Sequence, residues 1–67
     1  MHIKVNDERI QLPDEPITIK QFLSFRNIPE NGTAIALNGK LADRKKWDLT
    51  ELQENDDIVI ISAAFGG

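Results

Sequence analysis

The sequence predicts a small α+β fold in which a single helix packs on one face of a mixed β-sheet. Near its start the chain alternates apolar and polar residues, its middle has one stretch of helical spacing, and a β-branched run lies near its end. Sixty-seven residues suffice for one domain at most. Four or five short strands and one helix cannot close a barrel in this length, so a two-layer arrangement is expected.

The first part of the chain predicts a β-hairpin. Ile3 and Val5 alternate with polar residues, and Ile10 and Leu12 do the same after a polar turn at 6–8. Alternation with a period of two is typical of strands that are buried on one face. The four apolar side chains are therefore expected to point into the core.

The next stretch predicts one short amphipathic helix. Thr18 has the character of an N-cap, and Gln21 occupies the position that completes a capping box. The apolar residues at helical spacing form one stripe: Ile19, Phe22 and Leu23. The helix must end by Ile28, because the following proline disfavours helical geometry in the residue before it.

The second half of the chain predicts a second hairpin. Residues 33–37 have the pattern of a strand, and Asn38-Gly39 predicts a type I′ turn because both residues tolerate positive φ. A short return strand is expected at 40–42. Residues 43–52 are expected to be irregular, with a single helical turn.

The run at 58–61, Ile-Val-Ile-Ile, is apolar on both faces and predicts the most central strand. The order strand, strand, helix, strand, short strand, strand places the first hairpin and this last strand in one sheet. That is the β-grasp, or ubiquitin-like, architecture. We therefore expect a β-grasp domain over residues 1–62 and a flexible C-terminal tail over 63–67, because such small terminal residues have little surface to bury.

Composition disfavours several classes of function. A net charge of −3 disfavours binding to nucleic acid phosphates, and an acidic chain suits a basic partner surface. There is no cysteine and only one histidine, so neither a disulfide nor a metal cluster is expected. The sequence has no apolar run long enough to span a membrane and no secretory signal, which predicts a cytoplasmic protein.

No pair of nucleophile and base stands out, which predicts a protein substrate and not an enzyme. Asp56 and Asp57 are interpreted as solvated turn residues. His2 is interpreted as an exposed residue of an edge-like strand, and the basic run at 44–46 as a solvated turn. Trp47 is expected to close the edge of the core.

The stretch 34–48 and the last residues of the chain resemble a known family. An apolar strand is followed by Asn-Gly, two apolar residues, an arginine and then Trp-Asp. The matching positions are Asn38, Gly39, Arg44, Trp47 and Asp48. Together with the final Gly66-Gly67, this stretch resembles ThiS, the ubiquitin-like sulfur carrier family of thiamine biosynthesis.

Three positions depart from the pattern of that family. Asp43 stands where the family usually has proline, and Asn55 stands where the turn before the last strand usually has glycine. Asn tolerates positive φ, so the turn is expected to form. Phe65 precedes the diglycine where the family has small or aliphatic residues.

The resemblance implies a protein co-substrate that carries sulfur on its terminal carboxylate. An ATP-using adenylating enzyme of the ThiF type would convert the Gly67 carboxylate into an acyl-adenylate. Sulfur from a donor such as a cysteine desulfurase would then displace AMP, and the thiocarboxylate would supply a ThiG-type thiazole synthase. The chain itself is expected to bind no cofactor and to be a monomer when alone.

The resemblance also assigns roles to residues near the end of the chain. Gly66, Phe65 and Ala64 are expected to thread into the active site of the partner. Gly66 suits a narrow channel because it has no Cβ, whereas Phe65 is the bulky residue of this segment.

Val59 and Ile61 are expected to share the outward face of the last strand and to help dock the adenylating enzyme. Which pair points outward depends on the register of the strand, so the sequence leaves open whether Ile58 and Ile60 lie outward instead. It also leaves open the alternative in which both faces of that strand are packed.

Two other functions stay open at this point. The small subunit of molybdopterin synthase has the same fold and tail and delivers sulfur to a pterin, although it is usually longer and lacks the Arg–Trp stretch. A ubiquitin-like modifier or binding module would instead form an amide with a lysine or use no covalent chemistry.

Overall fold

The computed structural model describes residues 1–62 of the chain. They form one short helix, α1 (Ile19–Phe25), and one mixed sheet, with a single 3₁₀ turn at Arg44–Lys46. The five strands are β1 (His2–Val5), β2 (Glu8–Gln11), β3 (Thr33–Leu37), β4 (Lys40–Leu41) and β5 (Asp57–Ser62). The predicted tail, residues 63–67, lies outside the described residues, and the proposed division at residue 62 stays a prediction.

The sheet has the strand order β2-β1-β5-β3-β4. The pair β1–β5 is parallel, and the pairs β1–β2, β3–β5 and β3–β4 are antiparallel. This confirms the predicted β-grasp fold and the central position of the last strand. It also corrects one interpretation: β1 is an interior strand with a neighbour on each side, not an edge-like strand.

The core lies between the helix and one face of the sheet. Sheet residues Ile3, Val5, Ile35 and Ile58 and the helix stripe Ile19, Phe22 and Leu23 are each exposed by 5% or less. Three residues outside the regular elements complete this cluster: Leu12, Trp47 and Leu52. Burial of such side chains contributes about 1.5–3 kcal/mol each, which a chain of this size needs because it has no disulfide.

Both ends of the helix have sequence-encoded caps. Thr18 accepts a hydrogen bond from the backbone N–H of Gln21, whose side chain accepts one from the N–H of Thr18, so the predicted capping box is present. At the other end Asn27 has φ +57°, and the N–H of Ile28 donates to the carbonyl of Leu23 at 2.8 Å. This Schellman-type motif ends the helix at Phe25, before Pro29, the residue that limited the predicted helix.

The two hairpin turns use residues that tolerate positive φ. Asn6 and Asp7 have φ of +51° and +69°, and Asn38 and Gly39 have +52° and +85°. This pattern is that of the type I′ turn predicted for Asn38-Gly39, and its twist matches that of the flanking strands. Asn55 has φ +68°, as expected for an asparagine in the place of a glycine.

Asp56 is not the solvated turn residue that the sequence suggested. It is 8% exposed, and its carboxylate accepts hydrogen bonds from the Asn38 side-chain amide (2.9 Å) and the Gln53 backbone N–H (2.7 Å). The Asn38 side chain in turn accepts a bond from the N–H of Asp57 at 2.8 Å. The carboxylate and the amide thus join the β3–β4 turn to the start of β5.

Trp47 closes the edge of the core, as predicted, and its indole N–H donates to the carbonyl of Ala42 at 3.2 Å. Arg44 is not simply solvated: its guanidinium lies 5.2 Å from the centroid of the Trp47 ring and donates to the carbonyl of Thr33 at 3.0 Å. A cation over an aromatic face adds about 0.5–1 kcal/mol at a surface site. These contacts attach the 3₁₀ turn to β3.

The Asp56 carboxylate gives the first prediction, which compares two isosteric substitutions. Asp56→Asn presents an amide to two hydrogen-bond donors and should lower the free energy of unfolding by about 1–3 kcal/mol. Asp57→Asn removes the neighbouring exposed carboxylate and should change it by less than about 0.5 kcal/mol. Urea unfolding measures both values, and equal losses would show that the buried carboxylate does not secure the turn.

Candidate partner-docking surface

The last strand of the sheet divides its side chains between two environments. Ile58 is 1% exposed and Ile60 is partly buried, whereas Val59 and Ile61 are 42% and 51% exposed. The pair predicted to point outward therefore does so, and the alternative in which both faces are packed is wrong. β5 is central in the sheet, but its outer face has no covering layer in the described part of the chain.

Strand register places further apolar residues beside this pair. Ala34 lies opposite Ile61, and Ala36 lies opposite both Val59 and Leu41. Leu41 is exposed by 74%. We call Ala34, Ala36, Leu41, Val59 and Ile61 the apolar patch. Exposed apolar patches of this kind often mark protein-binding sites.

Sequence reasoning missed three members of the apolar patch: Ala34, Ala36 and Leu41. The signal that could have found them was already present, because a two-residue type I′ turn fixes the register of the hairpin on either side of it. With Asn38-Gly39 as the turn, Leu37 pairs with Lys40 and Ala36 with Leu41. Ala36 and Leu41 then have to share a face.

The side chain of Asn6 supports β5 beyond the end of β1. β1 ends at Val5, opposite Ile58, and β5 continues for four more residues. The Asn6 side-chain oxygen accepts a bond from the N–H of Ile60 at 2.7 Å, and its amide nitrogen donates to the carbonyl of Ile60 at 3.4 Å. One side chain thus takes the place of a missing strand residue just before the chain reaches Ser62.

The structure describes none of the tail residues for which the sequence predicts a role. Ala64, Phe65, Gly66 and Gly67 lie outside the described residues, so their threading and chemistry stay predictions. The apolar patch includes Ile61, the residue that precedes the last described position of the chain. The patch and the predicted reactive end are therefore close along the sequence.

His2 is partly exposed and makes contacts that the sequence did not predict. Its side chain is 40% exposed, and its Nδ1 atom lies 3.6 Å from a carboxylate oxygen of Glu54. The same carboxylate accepts a bond from the His2 backbone N–H at 3.1 Å. These contacts connect β1 with the turn before β5, which is a structural role.

Residues 1–62 contain no group of three or more His, Asp or Glu side chains that could hold a metal ion. None of their helices is long and apolar enough to cross a membrane. On the helix side, exposed Phe25 borders a groove of about 290 Å³ that Pro13, Pro16 and Ile17 also line.

Comparison with known proteins places the fold in a class, the β-grasp proteins, and the chain in a family. The sequence model of the ThiS family matches residues 2–67, which is nearly the whole chain. The chain therefore belongs to the ThiS family. A search of curated protein sequences found no match.

Two solved structures share the fold. One is the crystal structure of a thiamine biosynthesis protein, ThiS, from Geobacter metallireducens, which is 20% identical with a TM-score of 0.85, each chain covering 100% of the other. The other is a solution NMR structure of a thiamine biosynthesis protein from the same organism, 22% identical with a TM-score of 0.83. That match covers 100% of this chain and 88% of the other. At this identity the likeness shows a common fold.

The contacts of Asn6 give a prediction about the end of β5. Asn6→Ala removes both side-chain bonds to Ile60, and the amide of Ile60 should then exchange its hydrogen up to about tenfold faster. Asp7→Ala is the matched control, because Asp7 shares the positive φ of the turn without a side-chain bond to β5 among the described residues. Hydrogen exchange followed by NMR measures the rates.

Both variants carry the cost of an alanine in the left-handed region, so a general loss of stability should appear in each of them. Only Asn6→Ala should raise the hydrogen exchange rate of the Ile60 amide more than the rates of the core amides. An Ile60 amide that exchanges equally fast in both variants would show that Asn6 does not hold this strand.

Proposed function

We propose that this chain is a sulfur carrier of thiamine biosynthesis and that the carboxylate of Gly67 carries the sulfur. The observation that carries this proposal is the match to the ThiS family, which reaches Gly67 and so includes the diglycine. The likeness of the fold to two solved structures of a thiamine biosynthesis protein supports it. In this reading the chain is a co-substrate, and other proteins catalyse each step.

The proposed chemistry starts from a poor electrophile. A carboxylate oxygen must first become a leaving group, so an adenylating enzyme of the ThiF type transfers AMP from ATP to Gly67 and releases pyrophosphate. The terminal sulfur of a persulfide, supplied by a cysteine desulfurase, attacks the acyl carbon and displaces AMP. A thiol then reduces the resulting acyl disulfide, which leaves the thiocarboxylate.

The thiocarboxylate is the form in which the chain delivers sulfur. A thiazole synthase of the ThiG type is the proposed acceptor. Two requirements fall on the carrier itself in this scheme: its last residues must reach a reaction centre inside a partner, and its folded part must dock outside that centre. Glycines suit the first requirement because a backbone without side chains can enter a channel that is too narrow for other residues.

The apolar patch suits the second requirement. Val59 and Ile61 are exposed next to the residues that lead into the tail, and their neighbours on β3 and β4 widen the same surface. We therefore assign docking of the adenylating enzyme to the apolar patch. An anchor at this place would hold the tail at the entrance of the nucleotide site.

The central test of the proposed function is the intact mass of the chain after incubation with the adenylating enzyme, ATP and a sulfur source. The mass should increase by the exchange of one oxygen for sulfur. Conjugates of higher mass would identify a ubiquitin-like modifier instead. An unchanged mass with an enzyme that is active on its own carrier would contradict both covalent functions.

Removal of Gly67, or addition of one residue after it, should abolish sulfur transfer and leave the fold intact. Transfer that persists in either variant would contradict the terminal-carboxylate mechanism. Supplying the thiocarboxylate form to a thiazole synthase and to a molybdopterin synthase large subunit separates the two sulfur pathways, and only the first should form product.

Docking through the apolar patch predicts that Val59→Asp weakens binding to the adenylating enzyme by roughly tenfold or more, because a charge replaces an exposed apolar contact. The fold should survive, since Val59 is 42% exposed. Leu49→Asp is the matched control: Leu49 is 75% exposed and lies outside the sheet. Calorimetric titration measures affinity, and circular dichroism reports folding.

Equal affinities for Val59→Asp, Leu49→Asp and the unchanged chain would exclude the apolar patch as the docking site. A Val59→Asp chain that unfolds would show that this residue is part of the packing of the domain, and Ile61→Asp, at the more exposed position, then takes its place in the same comparison.

A further inference from the structure

The outer face of the sheet carries charge as well as apolar surface. Side chains that alternate with the buried residues of β1 and β2 point away from the helix: His2, Lys4, Arg9 and Gln11. On β5 the first outward residue is Asp57, which lies opposite Lys4 and is followed by Val59. The outer face therefore has an apolar half on β5, β3 and β4 and a polar half on β1 and β2.

The polar half is less acidic than the chain as a whole. Its outward positions, with Asp57, carry two positive charges and one negative, and the Glu54 carboxylate lies beside His2. These charges sum to zero, whereas the net charge of the whole chain is −3. The two cations of this face are Lys4 and Arg9.

Lys4 and Arg9 lie directly opposite each other across the β1–β2 pair. Like charges in directly opposed positions destabilise a sheet. Both side chains are exposed, and neither makes an ion pair within residues 1–62, where the ion pairs are Met1–Asp14 and His2–Glu54. Asp57 lies opposite Lys4 on the other side of β1 and offsets part of this repulsion, whereas Arg9 has no acidic residue opposite it in the described sheet. The arrangement therefore leaves positive charge on this face that is available for binding.

The two cations border a shallow groove of about 320 Å³. Its lining also includes His2, Asn55 and Asp57, and it adjoins the start of β5. The groove and the apolar patch thus lie on one continuous face, joined by the outward residues of β5.

We infer that the protein partner that covers the apolar patch also places carboxylates opposite Lys4 and Arg9. This inference rests on the proposed function and assigns the chemistry of the adenylating enzyme's docking surface: an apolar area flanked by an acidic strip. The apolar contact supplies affinity, and the charges steer association and fix the orientation of the carrier. Two cations beside an apolar patch also discriminate against partners with a basic surface.

Charge reversal at both cations tests the inference. The association rate of Lys4→Glu/Arg9→Glu with the purified ThiF-type enzyme should fall roughly tenfold or more at low salt, and salt should reduce the difference. The matched control is Lys20→Glu/Lys46→Glu, which makes the same change in net charge at exposed positions on α1 and the 3₁₀ turn. Its rate should stay within about twofold of the unchanged chain.

Stopped-flow measurement follows association alone and does not depend on sulfur transfer. Its outcomes therefore distinguish a failure of this inference from a failure of the proposed function. Slower association of both double variants to the same degree would mean that net charge alone matters and would overturn the acidic strip. Weaker binding of Val59→Asp with no effect of Lys4→Glu/Arg9→Glu would leave the docking assignment standing and overturn this inference alone. No binding of the unchanged chain would overturn the proposed function and the inference together.

Discussion

The structure depends on the position of β5 in the centre of a sheet that has a helix on only one face. Ile58 must be buried against the helix stripe, and strict alternation then places Val59 and Ile61 on the side without a helix. The same strand ends at Ser62, five positions before Gly67 in the sequence. Core packing and the exposed surface thus use opposite faces of one strand, so the register that buries Ile58 also fixes which residues are exposed.

Both ends of β5 are held by asparagine side chains. Asn38 and buried Asp56 attach its beginning to the β3–β4 turn, and Asn6 takes the place of a strand residue beside Ile60. Asn6 and Asn38 also supply the positive φ of a hairpin turn. Each of these asparagines therefore has two roles: its backbone forms a hairpin turn, and its side chain accepts a hydrogen bond from β5.

Much of this fold could be predicted from the sequence because its signals are local. Period-two alternation, the Thr18–Gln21 capping box and Asn38-Gly39 each depend on residues a few positions apart, and each is present as expected. The errors concern distant contacts. Burial of Asp56 depends on a turn 18 positions away, and the interior place of β1 depends on its pairing with β5. Alternation predicted that Val59 and Ile61 share a face, but the side on which they lie and their apolar and charged neighbours depend on the register of the whole sheet.

The proposed function and the inference about charge both require that the outer face of the sheet meets the adenylating enzyme. NMR of the isotope-labelled chain during titration with that enzyme tests this contact, because each backbone amide reports on its own surroundings. The largest changes are expected at Val59, Ile61 and Ala36 and at Lys4, with little change on the helix. Changes centred on Phe25 and its groove, with the outer face unaffected, would contradict it.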